Sequence, residues 1–286
     1  MTMSLKNLTA LSLVTWLALG SAPALAGPYI FAGTDADDHG NTDGFANFNG
    51  WLFMQRAIEN LAGGVTNGNK VVVSLGSDPD TQAGQAARYA FTFSTLASNG
   101  WTYETVNTAA AINSFFTGTG TTTAATTGII LLDSGVNVLG GSDSNELASI
   151  TSNAKVLDSY LGAGGGLFSQ ANGYGFLSAL VPGLVVDEFS DADIALTSAG
   201  NAAFPGLTNA DLSAGPYHET FSNVGQIPVL GIGVGSSARQ NIIIGAGSGT
   251  ITNPTPPPTV SVPEPASMTI LAAGMAGLGL IRRRRA

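Results

Sequence analysis

The residues able to do chemistry in this chain gather at a few short segments. Asp35, Asp37, Asp38 and His39 lie within the run GTDADDHGNTDG. Asp78 and Asp80 flank Pro79, Asp133-Ser134-Gly135 follows the apolar run GIILL, Gln170, Ala171 and Asn172 follow GLFS, and His218 precedes Glu219. Crowded carboxylates repel one another unless solvated, protonated or shared with a cation, and a hard cation such as Ca²⁺ takes oxygen ligands of this kind. Asp35, Asp37, His39 and Gly40 stand at positions one, three, five and six of an EF-hand-like loop, but the twelfth position is Ala46 where a bidentate Glu belongs. Asp35, Asp37 and Asp38 are candidate Ca²⁺ ligands; the alternative is that they cap helices and shape turns. His39 and His218 are the only histidines, so any imidazole acid–base step must use one of them, and a zinc site needing several imidazoles is excluded. The chain has no cysteine, which rules out a thiol nucleophile, a Cys-ligated metal and a disulfide.

These residues need elements to position them, and the hydrophobic pattern supplies an alternating series. Tyr29–Ala32 reads as a strand and Trp51–Leu61 as a helix closed by Gly63-Gly64. Lys70–Leu75 is a strand, Thr81–Ser98 a helix, Trp101–Val106 a strand and Thr108–Phe116 a helix. After a polar tract from Thr117 to Thr127 come the strand Gly128–Leu132, the helix Asn145–Leu161, the short strand Gly166–Ser169 and a helix beginning at Tyr174. Leu184–Val186, Ile227–Gly231 and Asn241–Ile244 are further strands, and patterning is weakest over residues 182–224. VVV and IILL are apolar without alternation, as strands covered on both faces should be. The expected fold is an α/β three-layer αβα sandwich around a mainly parallel sheet, flavodoxin-like or Rossmann-like. In such a sheet ligands sit beyond the carboxyl ends of the strands, where the polar clusters fall. A candidate ligand cleft therefore comprises Asp133, Ser134, Gln170, Ala171, Asn172, His218 and Glu219.

The segment YLGAGGGLFSQANGYGFL, residues 160–177, resembles the nucleophile elbow of the class I glutamine amidotransferase-like superfamily. There a helix ends in GGG, a short strand follows, and a tight turn carries the catalytic cysteine. The resemblance implies an amidotransferase-like fold and puts the cysteine's position at Ala171, with Asn172-Gly173 completing the turn. An alanine methyl cannot attack a carbonyl, so the inherited amidase chemistry is expected to be absent and no catalytic residue is assigned. Ser169 falls on the strand, and GLFSQ is not a G-x-S-x-G elbow. The glycines at 162 and 164–166 form neither phosphate-binding pattern. Trp51, Trp101 and neighbouring Phe residues have core spacing, more in keeping with packing than with a sugar-stacking platform.

Both ends of the chain read as addresses. Lys6, the apolar core Leu8–Leu19 and Ala24-Leu25-Ala26 form a signal-peptide pattern over residues 1–26. At the other end stand Val262, Pro263, Glu264 and Pro265, an apolar run from Ala266 to Ile281, and then Arg282, Arg283, Arg284 and Arg285. The prolines keep the approach extended. The run is shorter than the roughly 20 residues of a comfortable span, and the arginines hold the end on the cytoplasmic side. This tail resembles the PEP-CTERM sorting signal of Gram-negative bacteria. The resemblance implies export through the Sec machinery, transient inner-membrane anchoring, cleavage by an exosortase and delivery to the cell surface or extracellular matrix. The organisation expected is a signal peptide at 1–26, a globular domain at 27–244, a Gly/Pro/Thr linker at 245–261 and the sorting signal at 262–286.

Five of the ten basic side chains, Lys6 and the four arginines, lie in those end segments, while all 19 acidic ones precede the apolar tail, leaving the processed chain a net charge near −14. Such a chain repels nucleic acid, and anionic polysaccharide too unless divalent cations bridge them. Two functions from different classes remain open. One is a non-catalytic binding or structural module of a surface, biofilm or exopolysaccharide-associated protein. The other is an extracellular hydrolase of glycans or amides using Asp, Glu and His218 at the strand-end cleft, which would call for two facing carboxylates, one with a raised pKa.

Overall fold

The computed structural model describes residues 27–136, 139–234 and 240–246. The expected signal peptide, most of the expected linker and the whole sorting tail lie outside these residues. The chain opens with β1 (Tyr29–Ala32), a hairpin of β2 (Gly40–Thr42) and β3 (Asn47–Asn49), and α1 (Gly50–Ala62). It continues through β4 (Val71–Leu75), α2 (Gln82–Thr92), α3 (Thr95–Ser98), β5 (Thr102–Val106) and α4 (Ala109–Thr117). Then come β6 (Ile129–Leu132), α5 (Ser144–Ser152), α6 (Ala154–Gly162), β7 (Gly166–Ser169) and α7 (Leu177–Leu180). The remainder is β8 (Val185–Asp191), β9 (Ile194–Leu196), α8 (Ser198–Ala203), α9 (Asn209–Leu212), β10 (Tyr217–Ser222), β11 (Val229–Gly233) and β12 (Asn241–Ala246).

Ten of these strands form one mixed sheet, in the order β5-β4-β6-β7-β1-β12-β10-β8, with β11 pairing β12 and β9. The first five are parallel, whereas every pairing beyond β1 is antiparallel. The parallel half has helices on both faces. Ile112, Phe115, Ile150, Leu157 and Leu161 of α4, α5 and α6 pack with Val73, Ile130 and Leu167 on one side. Phe53, Met54 and Ile58 of α1, with Ala86 and Ala90 of α2, pack with Val72, Ile129 and Phe168 on the other. Successive residues of VVV and II thus enter opposite cores, which is why these strands show no polar alternation.

Four parallel strands, β5-β4-β6-β7, follow the 2-1-3-4 part of the flavodoxin order, but the fifth place belongs to the first strand, β1. The chain leaves β4 towards β5 and returns past it to β6, so the topological switch lies between β4 and β6.

Two helices read as continuous are broken. Thr81 caps α2 through the amide of Gly84, but Ser94 stops the 81–98 stretch by accepting from Leu96 N–H and starting α3. The 145–161 helix is divided at Asn153, with α5 capped by a reciprocal Asp143–Glu146 box. The acidic run GTDADDHGNTDG contributes β2, which pairs with β3 just beyond it. Gly245, expected in the linker, lies in β12. Its φ is +114°, and a Cβ there would stand 2.1 Å from the Tyr29 carbonyl oxygen, so only glycine lets β12 lie this close to β1.

Candidate functional site

The loop after β1 carries the acidic run into the rim of the sheet. Gly33 lies against β10, where a Cβ would stand 1.8 Å from the Glu219 carbonyl oxygen, and its own carbonyl accepts from His218 N–H at 2.7 Å. This close approach brings residues 34–39 and 217–219 together. Asp35 Oδ2 lies 3.0 Å from His218 Nε2 and 3.3 Å from His39 Nε2, so both histidines of the chain converge on one buried carboxylate oxygen. Thr34, Asp35, His39 and Asp211 border a water-sized void of about 10 Å³.

Asp37 is fully buried. Its Oδ2 accepts from Ser134 N–H at 3.0 Å and from the Ser134 hydroxyl at 2.9 Å. Its amide donates to Gln170 Oε1 at 3.3 Å, and its carbonyl accepts from the Trp51 indole at 2.8 Å. Burial pushes its carboxyl up to about 6, against the two Ser134 hydrogen bonds, with the charge of Asp35 adding to the rise. Asp133, at the end of β6, accepts from the Ser74 hydroxyl at 3.2 Å. Burial, and after it the charge of Asp37, holds it well above the usual carboxylate range. Among the described residues no group of three or more His, Asp or Glu is arranged to hold a metal ion. Asp35, Asp37 and Asp38 therefore do not converge as a trio of Ca²⁺ ligands: Asp35 turns to the histidines and Asp37 to Ser134.

The strand β7 ends at Ser169, and the chain bends through Gln170, Ala171 and Asn172. Ala171 is fully buried, its amide donating to Thr34 O at 2.9 Å and its carbonyl accepting from Gly135 N–H at 2.8 Å. The strained residue of the bend is its neighbour Asn172, at φ +62°, in the left-handed region that asparagine tolerates better than most side chains. Asn172 N–H donates to Glu219 Oε2 at 2.9 Å. The Tyr174 hydroxyl accepts from Ala32 N–H at 2.8 Å and lies 2.8 Å from Ser169 O, tying β1 to β7 beneath the bend. Ser169 itself is buried on its strand.

Outside the bend lies an open groove of about 960 Å³, bordered by Ser144, Thr151, Asn172, Tyr174, Glu188 and Glu219. Glu188 and Glu219 are direct partners in the antiparallel β8–β10 ladder, so their side chains rise from the same face of the sheet. Burial pushes Glu219 up to about 6; Glu188 adds to this, while the Asn172 amide and His218 oppose it.

The rim thus groups the sequence-selected residues into three neighbouring sets: Asp35 with His218 and His39, Asp37 with Ser134, Gln170 and Asp133, and Asn172 with Glu219. Sequence reasoning missed Glu188, Tyr174, Ser77 and Ser142. Glu188 becomes a site residue only through its register with Glu219, Tyr174 lies in the elbow-like segment but on the short helical turn Tyr174–Phe176 after the bend, and Ser77 and Ser142 stand in loops with no motif of their own.

Residues 261–285 match the PEP-CTERM protein-sorting motif. Neither a curated protein nor a solved structure matches the chain. The motif marks the chain as an exported substrate of an exosortase, of the kind sorted to the cell surface in Gram-negative bacteria.

Proposed function

We propose that this protein is a surface or extracellular-matrix component whose α/β domain is a non-catalytic binding module, derived from an amidotransferase-like ancestor and associated with exopolysaccharide. One observation carries the reading: the bend after β7 presents Ala171 and Asn172, so neither a thiol nor a hydroxyl stands where a nucleophile elbow needs one. The adjoining groove, with Ser144, Thr151 and Asn172 along its wall, offers the short polar groups that bind sugar hydroxyls. Residues 1–26 act as the Sec signal, and the tail anchors the chain in the inner membrane until cleavage. The test is a glycan-binding screen of the secreted protein alongside an amide-hydrolysis assay. Saturable binding of exopolysaccharide from the producing cell, without amide turnover, is expected; steady amide release overturns the reading.

A second reading, a glycan hydrolase, is favoured by the Glu188–Glu219 pair alone. A carboxyl held up by burial, Glu219, beside a second carboxyl, Glu188, is the kind of pair that glycoside hydrolysis uses. Reducing-end release from the same glycans, lost in both Glu219→Gln and Glu188→Gln, would establish it in place of the binding role.

A further inference from the structure

The crevice between the carboxyl ends of β4 and β6, at the topological switch, holds polar atoms that the protein leaves unsatisfied. Asp37 Oδ1, Asp133 Oδ1, Ser77 Oγ and Ser142 Oγ are all buried, and none has a hydrogen-bond partner. They belong to one place. Asp37 Oδ2 is bonded to the backbone amide that follows Asp133. Ser77 faces the Asp133 carboxyl from the end of β4 without closing a hydrogen bond of normal geometry. The Ser142 hydroxyl lies over Gly76, where a Cβ would stand 2.0 Å from its oxygen, and the Ser142 amide is bonded to Ser134 O at 3.0 Å. Buried carboxylates normally have a cationic partner. Here the described cationic side chains with a recorded contact are engaged elsewhere: Arg56 on Glu59, Lys70 on the Asn99 carbonyl and Arg88 over Tyr89.

We propose that this crevice binds one hard divalent cation, with Asp37 and Asp133 as carboxylate ligands and the Ser77 and Ser142 hydroxyls as neutral oxygen ligands. The donor set is all oxygen, which suits Ca²⁺ or Mg²⁺ rather than a metal that seeks nitrogen or sulfur. Two carboxylates balance a charge of +2. Hydroxyl oxygens on loops, here Ser77 and Ser142, complete such a shell without adding repulsion. The site differs from an EF-hand because its ligands come from the ends of separate strands. It does not rest on what the outer groove binds.

The test uses the full chain, stripped with EDTA and titrated in parallel with CaCl₂ and MgCl₂ by calorimetry. One equivalent of one of the two ions is expected to bind and to raise the unfolding midpoint. Tb³⁺ should occupy the same place and luminesce on tryptophan excitation, because the Trp51 indole is hydrogen-bonded to the Asp37 carbonyl. Asp133→Asn is expected to weaken binding at least tenfold, and Asp158→Asn, on α6 and outside the strand-end rim, to leave it unchanged. Should Asp133→Asn fail to fold, Ser77→Ala provides the second variant, with an expected loss of severalfold in affinity. Absence of binding to the wild-type chain at millimolar Ca²⁺ and Mg²⁺ would mean that protons and water satisfy the crevice, and the proposal falls. Undiminished binding in Asp133→Asn or Ser77→Ala overturns it equally.

Discussion

At the scale of single residues, Glu219 gives the sharpest expectation. Its carboxyl stands at about 6 in the fold against 4.5 for a free side chain, raised by burial and then by Glu188. The folded state therefore binds more protons than the unfolded state between those values, and stability falls as pH rises from 4.5 through 6, levelling off above. The full swing is about 2 kcal/mol. The charged groups that act on it are Glu188, opposite it on β8, and His218, its neighbour on β10. Glu219→Gln keeps the shape of the protonated form and removes the titration. The variant should be up to about 2 kcal/mol more stable than wild type at pH 7.5 and equal to it near pH 4.5, read from urea unfolding at both pH values. A stability difference independent of pH would show that Glu219 does not titrate in this way. Asn172 gives a second expectation. At φ +62° a β-branched residue is strained, so Asn172→Val should cost about 1–3 kcal/mol, while Asn172→Gly should change stability by under about 1 kcal/mol. Thermal unfolding of both variants checks the contrast.

At the scale of elements, the strand ends are held by caps as much as by the core. Asp143 accepts from Asn145 and Glu146 amides, each at 2.8 Å, and Glu146 reaches back to Asp143 N–H at 2.8 Å and across to Thr108 N–H at 2.7 Å. Asp143→Ala should lose about 1 kcal/mol. Glu146→Ala should lose more, because it strips two amides on different elements, one of them at the positive-φ residue Thr108. Chemical denaturation of the two variants ranks them. The same elements show what could be read from sequence. β4 and β6 were legible because both faces of each are buried, which forces unbroken apolar runs. The division of α5 from α6 was not, since Leu157 and Leu161 continue the helical spacing past Asn153 and hide the break. Residues 182–224 were opaque because β8 is largely exposed and polar, and its partner β10 is fixed by long-range pairing. For the candidate site, the rule that ligands lie beyond strand ends picked out Asp133 and Gln170, which the structure places beside Asp37. It could not find Glu188, whose relevance lies wholly in its register with Glu219, nor the serines that face the crevice from loops. The bend after β7 was located to within one residue, with the strain at Asn172 and not at Ala171.

At the scale of the whole molecule, address and fold occupy separate stretches of chain. Every described core residue lies between Tyr29 and Ile244, whereas the sorting motif occupies residues 261–285. The last structural strand, β12, joins the two halves of the sheet: it pairs with β1 on one side and with β10 and β11 on the other. Ile242, Ile243 and Ile244 are fully buried within it. Two truncations should therefore behave oppositely. Removing Val262–Ala286 takes away the VPEP segment, the apolar run and the arginines, and leaves every sheet pairing in place. The shortened protein should unfold at the wild-type midpoint yet fail to reach the cell surface. Stopping the chain before Asn241 instead removes the strand between β1 and β10, leaving two long edges and a stripped isoleucine row, a pattern that promotes aggregation. That shorter protein should be insoluble or lack a cooperative melt. Cell fractionation and circular dichroism on both, alongside wild type, read the two outcomes. A tail-less chain that still arrives at the surface would separate sorting from the motif, and one that melts early would show the tail to be part of the fold.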